Sequence, residues 1–486
     1  MSTQPRVSAN DWRVLDPPAL GAWRPSLSVT VVIPAYRPHR LPLVLAALAA
    51  QSYPDHLLEV VVVDDHSDPP VELPEVRPAN TRLLTTEHRW SKSNTCRTGI
   101  DRSDGDVIHF LDSDMVPAHR EVEAHLRWHH VVDYAAVLGF RTFVPEDALD
   151  HLTPTALHDH VAAGTDLHTL VVGDQVPQEW TERILAETDG LAAAGPRAMR
   201  LHVGASTSVT RALASSSAGL PPELDLGEDI VFGYRLREAG AVFVPDRAAV
   251  SIHLGQSSVM SRTAQVNRFN HPHFAQLVPE FRGHRRAVSR SYAVPYAEVV
   301  LPVAGATAEE VCAVVDTQLA STLPDLVVTL VGSWADPTTR GPVLDDPALE
   351  QRLVRTTYEH EPRVRLVSEP APRSDATFRV TLPGTGAFPA GKALAQLLRR
   401  MELEHLGCVD VDLPDGSVAR VVRTQAHARA LRTCADRSEY DDALAACYPA
   451  TRESAARAGF VTDDEAPPVK QVRGLVGWGV GRADRD

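Results

Sequence analysis

The sequence predicts an α/β fold in which a mixed, mostly parallel and Rossmann-like sheet is flanked by helices, followed by a second, smaller α/β domain. Two β-branched apolar runs, residues 28–33 and 59–63, enclose a segment with apolar residues at helical spacing. Strands that are apolar throughout are typical of parallel sheets covered by helices on both faces. The same order of strand, helix and strand recurs at residues 298–334, which indicates an internal repeat.

Composition limits the classes of function. The chain has 486 residues and a formal net charge of -15, so we expect no nucleic-acid partner. Its five cysteines lack Cys-x-x-Cys spacing, which indicates reduced thiols and a cytoplasmic location. The N-terminus has no signal-peptide core, and the longest apolar stretch, residues 41–50, is too short for a transmembrane segment. Peripheral contact with the inner face of a membrane stays open.

The elements of the first half follow in order from the sequence pattern. The first strand stops at a Pro-Ala-Tyr sequence, and the second stops at Asp-Asp-His-Ser. Polar residues therefore follow each strand at its carboxyl end. The further predicted elements are a strand at 82–84, helices at 91–101, 121–131 and 178–191, and strands at 107–111, 136–143, 200–210, 241–245 and 249–252.

The stretch 105–117 (GDVIHFLDSDMVP) organises this half. Its apolar run has the length of a buried strand and ends in Asp112-Ser113-Asp114. In an extended chain, residues two apart point the same way, so both carboxylates can face one point. Hard oxygen ligands suit Mg²⁺ or Mn²⁺ shared with substrate phosphates. The alternative is a strand followed by an Asp-rich turn.

The ends of the parallel strands define one cleft. Open α/β sheets bind ligands at the carboxyl edge of their strands. Tyr36, Asp65 and Asp112 follow three strands of the predicted sheet. We therefore expect these side chains to meet at one edge.

With these residues placed, the pattern resembles a family 2 glycosyltransferase of the GT-A fold. The resemblance covers about residues 28–260, and its pieces occur in the order that the family has. They are 31–36 (VVIPAY), 63–67 (VDDHS), 111–114 (LDSD), 227–229 (GED) with 233–236 (GYRL) and 239–240 (AG), and His253.

The resemblance implies a nucleotide-binding set. Pro34, Ala35, Tyr36 and Asp65 would line the base and ribose pocket of a UDP-sugar. Arg97 belongs to a run that departs from the Ala-Arg-Asn-x-Gly run usual in the family, because this arginine is shifted by one position. A second departure is a histidine at position 66, where Gly or Asn is usual.

The resemblance also implies a metal site and a base. Asp112, with Ser113 beside it, would lie against the ribose and the metal, and Asp114 and His253 would bind Mn²⁺ or Mg²⁺. The cation neutralises the leaving diphosphate.

Asp229 would be the general base that deprotonates the acceptor hydroxyl, with Glu228 beside it. A single attack without a covalent intermediate inverts the anomeric centre. The alternative for these two carboxylates is an ordinary acidic helix N-terminus.

The second half resembles a degenerate copy of the first. Residues 332–334 (GSW) stand where the first half has Asp64-Asp65, and no counterpart of the Gly-Glu-Asp segment follows. The sequence Asp-Val-Asp at 410–412 lies in a pattern that predicts a β-hairpin. We expect a structural, dimerising or acceptor-positioning domain. A second transferase site is the alternative.

These predictions divide the chain into four parts. Residues 1–27 form an N-terminal arm, 28–260 a catalytic GT-A domain, 261–293 a basic flap or linker rich in arginine, and 294–486 a degenerate, non-catalytic GT-A-like domain. The predicted function is metal-dependent, inverting transfer of a hexosyl or N-acetylhexosaminyl group from a nucleotide-sugar. The acceptor is open among a glycan, a lipid-linked saccharide, a peptide and a small molecule, and a homodimer is open too.

Two other functions compete with this one. A sugar nucleotidyltransferase can share the fold, but it needs a Gly-rich phosphate loop after the first strand, and the Pro-Ala-Tyr sequence there is not such a loop. A non-catalytic sugar-nucleotide-binding or scaffold protein is the second alternative. The acidic residues of the first half argue against it there.

Overall fold

The computed structural model describes residues 4–285, 290–323, 325–334 and 342–466. Two large β-sheets, each flanked by helices, form successive halves of the chain, and the second half also contains a two-stranded sheet of its own. The first sheet is mixed and mostly parallel, and a second α/β sheet domain follows it. The predicted fold class is therefore confirmed.

Nine strands of the described residues form the first sheet, and its helices pack on both faces. The strands are β1 (Val29–Ala35), β2 (Leu58–Asp64), β3 (Thr81–Thr85), β4 (Val107–Leu111), β5 (Met115–Pro117), β6 (Ala135–Val144), β7 (Val176–Pro177), β8 (Ser206–Thr210) and β9 (Val242–Leu254). The helices are α1 (Leu41–Ala49), α2 (Lys92–Asp101), α3 (Glu121–His129), α4 (Pro154–Ala162), α5 (Glu179–Glu187), α6 (Arg211–Ser216), α7 (Glu228–Glu238) and α8 (Ser258–Leu277).

The strand order of the first sheet is β3-β2-β1-β4-β8-β6-β9-β5, with β7 paired to β6. Strands β3, β2, β1 and β4 are parallel, so their carboxyl ends share one edge. Strand β8 is antiparallel to β4, and β5 is antiparallel to β9. The short β5 therefore brings the chain after β4 against the end of β9.

The second half has its own sheet and apolar core. Its strands are β10 (Ala297–Pro302), β11 (Leu326–Val331), β12 (Val364–Val367), β13 (Phe378–Thr381), β14 (Phe388–Pro389), β15 (Cys408–Asp412), β16 (Val418–Arg423), β17 (Ala450–Ser454) and β18 (Phe460–Val461). Its helices are α9 (Ala308–Leu319), α10 (Leu349–Tyr358), α11 (Ala393–Leu403), α12 (Thr424–Thr433), α13 (Tyr440–Cys447) and α14 (Ala455–Ala458).

The two sheets begin with the same topology. The second sheet has the order β12-β11-β10-β13-β16-β15-β17, in which β12, β11, β10 and β13 are parallel and β16 is antiparallel to β13. The first sheet has β3-β2-β1-β4 followed by the antiparallel β8. The strand–helix–strand repeat predicted from the sequence thus extends to the order of five strands.

Two local predictions were wrong. The strand expected over 200–210 covers only Ser206–Thr210, because a 3-10 helix, Gly195–Leu201, precedes it. The two strands expected over 241–252 are one strand, β9, because a register shift against β6 between Leu138 and Phe140 accommodates the irregular middle of the strand. His253 therefore lies inside β9 and not after a strand.

The arginine-rich segment expected as a flap or linker is largely helical, because α8 spans Ser258–Leu277 with a kink at Arg262, where the backbone is not helical. The Ser257 hydroxyl accepts a hydrogen bond from Met260 N–H and so caps its start. Val266, Phe274 and Leu277 are buried along it. Packing of this apolar face, which the local sequence does not reveal, orders the segment.

A buried arginine joins the halves. Arg429 of α12 is fully buried and donates hydrogen bonds to the carbonyl oxygens of Gly240 and Ala241, at 2.9 and 2.6 Å. It also donates to the carbonyl oxygens of Val7 and Ala9 in the N-terminal arm. One guanidinium therefore holds the arm, the start of β9 and the second half together.

Among the residues described, no helix combines the length and apolar character needed to cross a membrane.

Candidate active site

The carboxyl edge of the first sheet brings together the ends of β1, β2 and β4. Ala35 pairs with Asp64 in the parallel register, and Asp65 N–H donates to the Ala35 carbonyl at 2.8 Å. Pro34 and Ala35 end β1, so Tyr36 emerges beside Asp65 at this edge. The ends of β1 and β2 therefore lie side by side at this edge.

Asp65 and its neighbour Asp64 have different surroundings. Asp64 accepts hydrogen bonds from Ser67 N–H and Val71 N–H, so it is a turn residue. Asp65 is buried and accepts from Ser91 N–H through Oδ2 at 3.1 Å, while its Oδ1 has no hydrogen-bond partner. Burial raises the pKa of Asp65. An unpartnered buried oxygen is available to a ligand hydroxyl or N–H group.

His66 departs from the family pattern, and the structure gives the reason why Gly or Asn is usual there. Its backbone has φ +59°, in the left-handed region that Gly and Asn tolerate best. The His66 ring lies 3.0 Å from the His88 carbonyl oxygen, which fixes it beside the loop before α2.

The Asp-Ser-Asp segment forms a turn and not the extended chain that the sequence argument assumed. Met115 N–H donates to the Asp112 carbonyl at 3.1 Å, which closes the turn around Ser113. Strand β5 then places Met115 opposite His253 of β9. As a result, His253 Nε2 lies 3.7 Å from Asp114 Oδ1.

Asp114 has the electrostatics of a cation ligand. Burial and the nearby Asp112 charge raise its pKa, whereas His253 lowers it. Its Oδ1 atom and the Nδ1 atom of His253 are buried without hydrogen-bond partners. A carboxylate that is costly to bury and only partly compensated is a favourable site for a positive charge.

Lys92 is the cation that sequence reasoning missed. Its Nζ lies 2.6 Å from Asp112 Oδ1 and 3.9 Å from Glu228 Oε1. Although burial opposes it, these two carboxylates raise the pKa of Lys92 above its usual value. Lys92 is the first residue of α2, directly after the N-cap Ser91. A helix that starts at the carboxyl edge of a sheet presents its first residue to that edge. The sequence signal for Lys92 was therefore its position at the start of the predicted helix.

Glu228 and Asp229 open α7 after Gly227, whose φ is +77°. Asp229 is partly exposed and accepts hydrogen bonds from Ile230 N–H at 2.8 Å and Gly204 N–H at 3.4 Å. Glu228 is buried, and burial raises its pKa to about 7 although Lys92 opposes that rise. The exposed and the buried carboxylate are therefore suited to different roles.

Gly204 and Gly227 permit close packing around these carboxylates. A Cβ on Gly204 would lie 3.6–3.8 Å from atoms of Asp229, Lys92 and Glu228, so this glycine lies among all three. A Cβ on Gly227 would lie 2.7 Å from Asn270 Nδ2 of α8. Helix α8 thus packs directly on the start of α7, beside the candidate base.

Arg97 and Arg141 differ from expectation in opposite ways. Arg97 lies five residues along α2 from Lys92 and close to Arg235, whose pKa is lowered by burial and then by the Arg97 charge. Arg141 of β6 was not predicted to lie near the site. Burial lowers its pKa, and the nearby charges of Asp112 and Asp229 oppose this effect. Among the described residues, no carboxylate forms an ion pair with Arg141.

Two exposed aromatic rings lie at the rim of the site. Tyr36 and Trp90 are 47% and 48% exposed, and their ring centroids are 5.9 Å apart in an edge-to-face arrangement. Large exposed aromatic rings beside a polar cleft offer a stacking surface. Trp90 was missed because it stands alone before the helix N-cap.

Part of the first half of the chain is similar to a known enzyme family. Residues 30–156 match the family model described as Glycosyl transferase family 2. The match contains Tyr36, Asp65 and the Asp112–Asp114 turn, and it ends before α7 and β9. The family 2 resemblance is therefore confirmed for this segment of the chain.

Several solved structures are similar to part of the chain. A mannosyltransferase from Pyrobaculum calidifontis in complex with GDP-Man and Mn²⁺ is 16% identical, with a TM-score of 0.33 over 55% of this chain and 68% of that chain. TarS from S. aureus is 17% identical, with a TM-score of 0.31 over 53% and 68%. GalNAc-T7 with UDP, GalNAc and Mn²⁺ is 13% identical, with a TM-score of 0.33 over 53% and 55%. No curated protein sequence matches the chain.

Proposed function

We propose that this protein is an inverting, metal-dependent glycosyltransferase that moves a hexosyl or N-acetylhexosaminyl group from a UDP-sugar to an acceptor hydroxyl. The observation that carries the proposal is the contact network around Lys92. This residue joins Asp112 after β4 to Glu228 at the start of α7, and the neighbouring Ser91 joins Asp65 after β2. Carboxylates from three distant parts of the sequence thereby face one cleft.

The nucleotide is proposed to bind over the ends of β1 and β2. Tyr36 and Trp90 offer aromatic surface to the base, and Pro34 and Ala35 form the floor beside them. The free Oδ1 of Asp65 suits a donor group of the base or ribose. In this proposal Lys92 takes the place that the sequence argument gave to Arg97, because Arg97 lies by Arg235.

A divalent cation fits the far side of this cleft. Asp114 Oδ1 and His253 Nδ1 are buried without partners, and carboxylate with imidazole suits Mn²⁺ or Mg²⁺. Asp112, Asp114 and His253 would hold the ion, with Ser113 in the connecting turn. When bound, the ion supplies positive charge to the diphosphate leaving group.

Asp229 is proposed as the general base. It is the more accessible member of the acidic pair, and two backbone N–H groups near the α7 N-terminus donate hydrogen bonds to its carboxylate. The acceptor oxygen bonds to the anomeric carbon as the bond to the diphosphate oxygen breaks. The hydroxyl proton goes to Asp229, and the electron pair of the broken bond leaves with UDP. Buried Glu228 positions Lys92.

The test measures UDP release from a panel of UDP-sugars with Mn²⁺, with and without EDTA. The wild type and Asp229→Asn are compared, and calorimetry measures their binding of UDP with Mn²⁺. We expect slow hydrolysis of one donor by the wild type, abolished by EDTA. Acceptor-stimulated transfer should fall by about 10²–10⁴-fold in Asp229→Asn, with UDP binding unchanged.

Other outcomes contradict parts of the proposal. UDP binding without release from any donor, with and without a panel of glycan, lipid-linked and peptide acceptors, would favour a sugar-nucleotide-binding protein. Absence of both binding and release would rule out the UDP-sugar assignment. Full transfer by Asp229→Asn would show that another group is the base.

A further inference from the structure

Three metal-ligating side chains meet in the core of the first half, away from the carboxyl edge. His109 of β4 and Glu121 and His125 of α3 have side chains that are 0% exposed. One ring nitrogen from each histidine and one carboxylate oxygen lie within 4.8 Å of one another. Burying three such groups together is costly unless each is fully compensated.

The sequence places these groups on facing surfaces. Glu121 and His125 are four residues apart, so they lie on one face of α3. His109 pairs with Ser208 in the antiparallel register of β4 and β8. A histidine in the middle of an apolar strand is the local signal that a buried partner exists.

The distances between these groups are short enough for one ion to bridge them. His109 Nε2 lies 3.2 Å from Glu121 Oε2, and His125 Nε2 lies 3.2 Å from Glu121 Oε1. Yet His109 Nε2 and Glu121 Oε2 have no hydrogen-bond partner. In a hydrogen bond the N–H points at the oxygen, whereas ligands of one ion point at a common centre. Ligands of a tetrahedral zinc ion are about 3.3 Å apart.

Outer contacts orient both imidazoles as metal ligands require. His109 Nδ1 lies 3.2 Å from the Thr207 carbonyl oxygen, which can only accept, so Nδ1 carries the proton and Nε2 offers its lone pair. His125 Nδ1 lies 3.0 Å from Ser208 Oγ, a hydroxyl that can accept a hydrogen bond from Nδ1–H. Such outer partners fix the tautomer of metal-ligating histidines.

Space near the three groups depends on a glycine. A Cβ on Gly139 would lie 2.1 Å from Ser206 Oγ and 3.0 Å from His125 Nε2. Ser206 Oγ itself lies 2.7 Å from Glu121 Oε1 and 3.0 Å from His125 Nε2. The hydroxyl is therefore a fourth donor atom at the same centre.

We propose that His109, Glu121 and His125 bind a structural divalent transition-metal ion of the zinc class, with Ser206 as the fourth ligand. Two imidazoles and a carboxylate are an established donor set for zinc. Since the site is enclosed, it offers no position to a substrate. The ion ties α3 to β4, the strand that leads to Asp112, and it is separate from the proposed donor cation.

The test is the metal content of the whole chain, produced in zinc-supplemented medium and gel-filtered without chelator. Elemental analysis should find about one zinc ion per chain in the wild type and in Asp114→Ala, which lacks the donor-edge ligand. In Glu121→Gln, which keeps the side-chain volume, zinc content should fall by about tenfold or more.

His129→Gln is the matched control. His129 lies on the same face of α3, but its Nε2 contacts Ser208 Oγ at 2.8 Å and it is outside the ligand set, so this variant should keep its zinc. As a measurement that needs no variant, cobalt-loaded wild type should show the visible absorption of tetrahedral Co²⁺.

Two results would overturn the proposal. One is a folded wild type that contains neither zinc nor tetrahedral cobalt, in which case the three groups form a hydrogen-bonded core network. The other is equal zinc content in the wild type and in folded Glu121→Gln.

Discussion

Two Asp-x-Asp segments in this chain have the same spacing and opposite surroundings. In the second half, Asp410 accepts from Arg420 at 2.7 and 2.9 Å, and Asp412 accepts from Arg452 at 2.9 and 2.6 Å. The predicted hairpin is thus confirmed, and arginines from neighbouring strands satisfy both carboxylates. After β4, by contrast, Asp114 Oδ1 has no hydrogen-bond partner. Whether such a motif can bind a cation depends on which charges the fold places around it.

The same contrast holds at the ends of the parallel strands. Where β2 ends in Asp64 and Asp65, β11 is followed by Gly332, Ser333 and Trp334. The Trp334 Nε1–H donates to the Val367 carbonyl at 2.9 Å, so the ring is fixed at this edge in place of an acidic group. The second sheet keeps the strand order and lacks these acids. A non-catalytic role for it stays our prediction.

The sharpest way to break this contrast is to remove one aspartate from each segment. We expect Asp114→Ala to lower UDP release by about 10³-fold, because cation-assisted charge neutralisation is worth several kcal/mol. Asp412→Ala removes a half-exposed partner of Arg452 and should change release by less than about twofold. Equal losses in both variants would mean that the second segment also takes part in the reaction.

Arg429 tests whether the halves act as one unit. Arg429→Ala leaves the buried carbonyls of Gly240 and Ala241 without their donor, so unfolding free energy should fall by on the order of 3–5 kcal/mol. We further expect the single unfolding transition in calorimetry to split into two. Arg452→Ala, on an exposed pair, is the control and should stay within about 1 kcal/mol of wild type. An unchanged, single transition in Arg429→Ala would show that other contacts join the halves.

Ionised Glu298 of β10 stabilises the second half, and protonation at acidic pH removes this effect. Although burial opposes it, hydrogen bonds from Ser374, Arg379 and Thr329 lower the pKa of Glu298. This carboxylate therefore stabilises the fold above its unfolded pKa, and the effect is lost as pH falls through its folded pKa. Glu298→Gln should cost about 1–3 kcal/mol at neutral pH, measured by urea unfolding. The difference from wild type should narrow below about pH 4, and a constant difference would contradict this assignment.

Glu238 at the end of α7 should show the opposite pH dependence. Burial raises its pKa to about 7, although its pairing with Arg237 opposes the rise. Above about pH 4.5 the unfolded state loses a proton that Glu238 keeps in the folded state. The stability contributed by this bound proton is therefore lost as pH rises toward 7. The unfolding free energy of Glu238→Gln relative to wild type should therefore rise by on the order of 1 kcal/mol between about pH 5 and pH 8 in the same urea measurement. A difference that shrinks over this range would show that folding does not raise the pKa of Glu238.

Much of the first sheet could be predicted because its strands are apolar on both faces. The run Val107–Leu111 and the start of the helix at Leu41 coincide with β4 and α1. Burial by helices on both sides makes such runs readable from sequence alone. Strand β9 could not be predicted as one element, since its middle is irregular and its continuity depends on pairing with β6.

The candidate site could be predicted only where residues follow strands directly. Asp65, Asp112 and Asp114 were found because parallel strands end at a common edge. Lys92, Arg141 and Trp90 were missed, because they reach the same cleft from a helix N-terminus, a distant strand and a loop. Lys92 and Trp90 lie on either side of the N-cap residue Ser91, and this position was a usable signal that they lie near the site.

By itself the sequence determined the α/β class, the repeated strand–helix–strand unit and the family 2 motifs, because these depend on local hydrophobic pattern and short spacing. The tertiary structure decided which carboxylates are left unpaired. Asp114 meets His253 only through β5 and β9, and the second Asp-x-Asp meets its arginines only through β16 and β17. The buried group of His109, Glu121 and His125 likewise exists only where α3 packs on β4. Local sequence carries no record of such contacts, because strand pairing and packing bring together residues that are far apart along the chain.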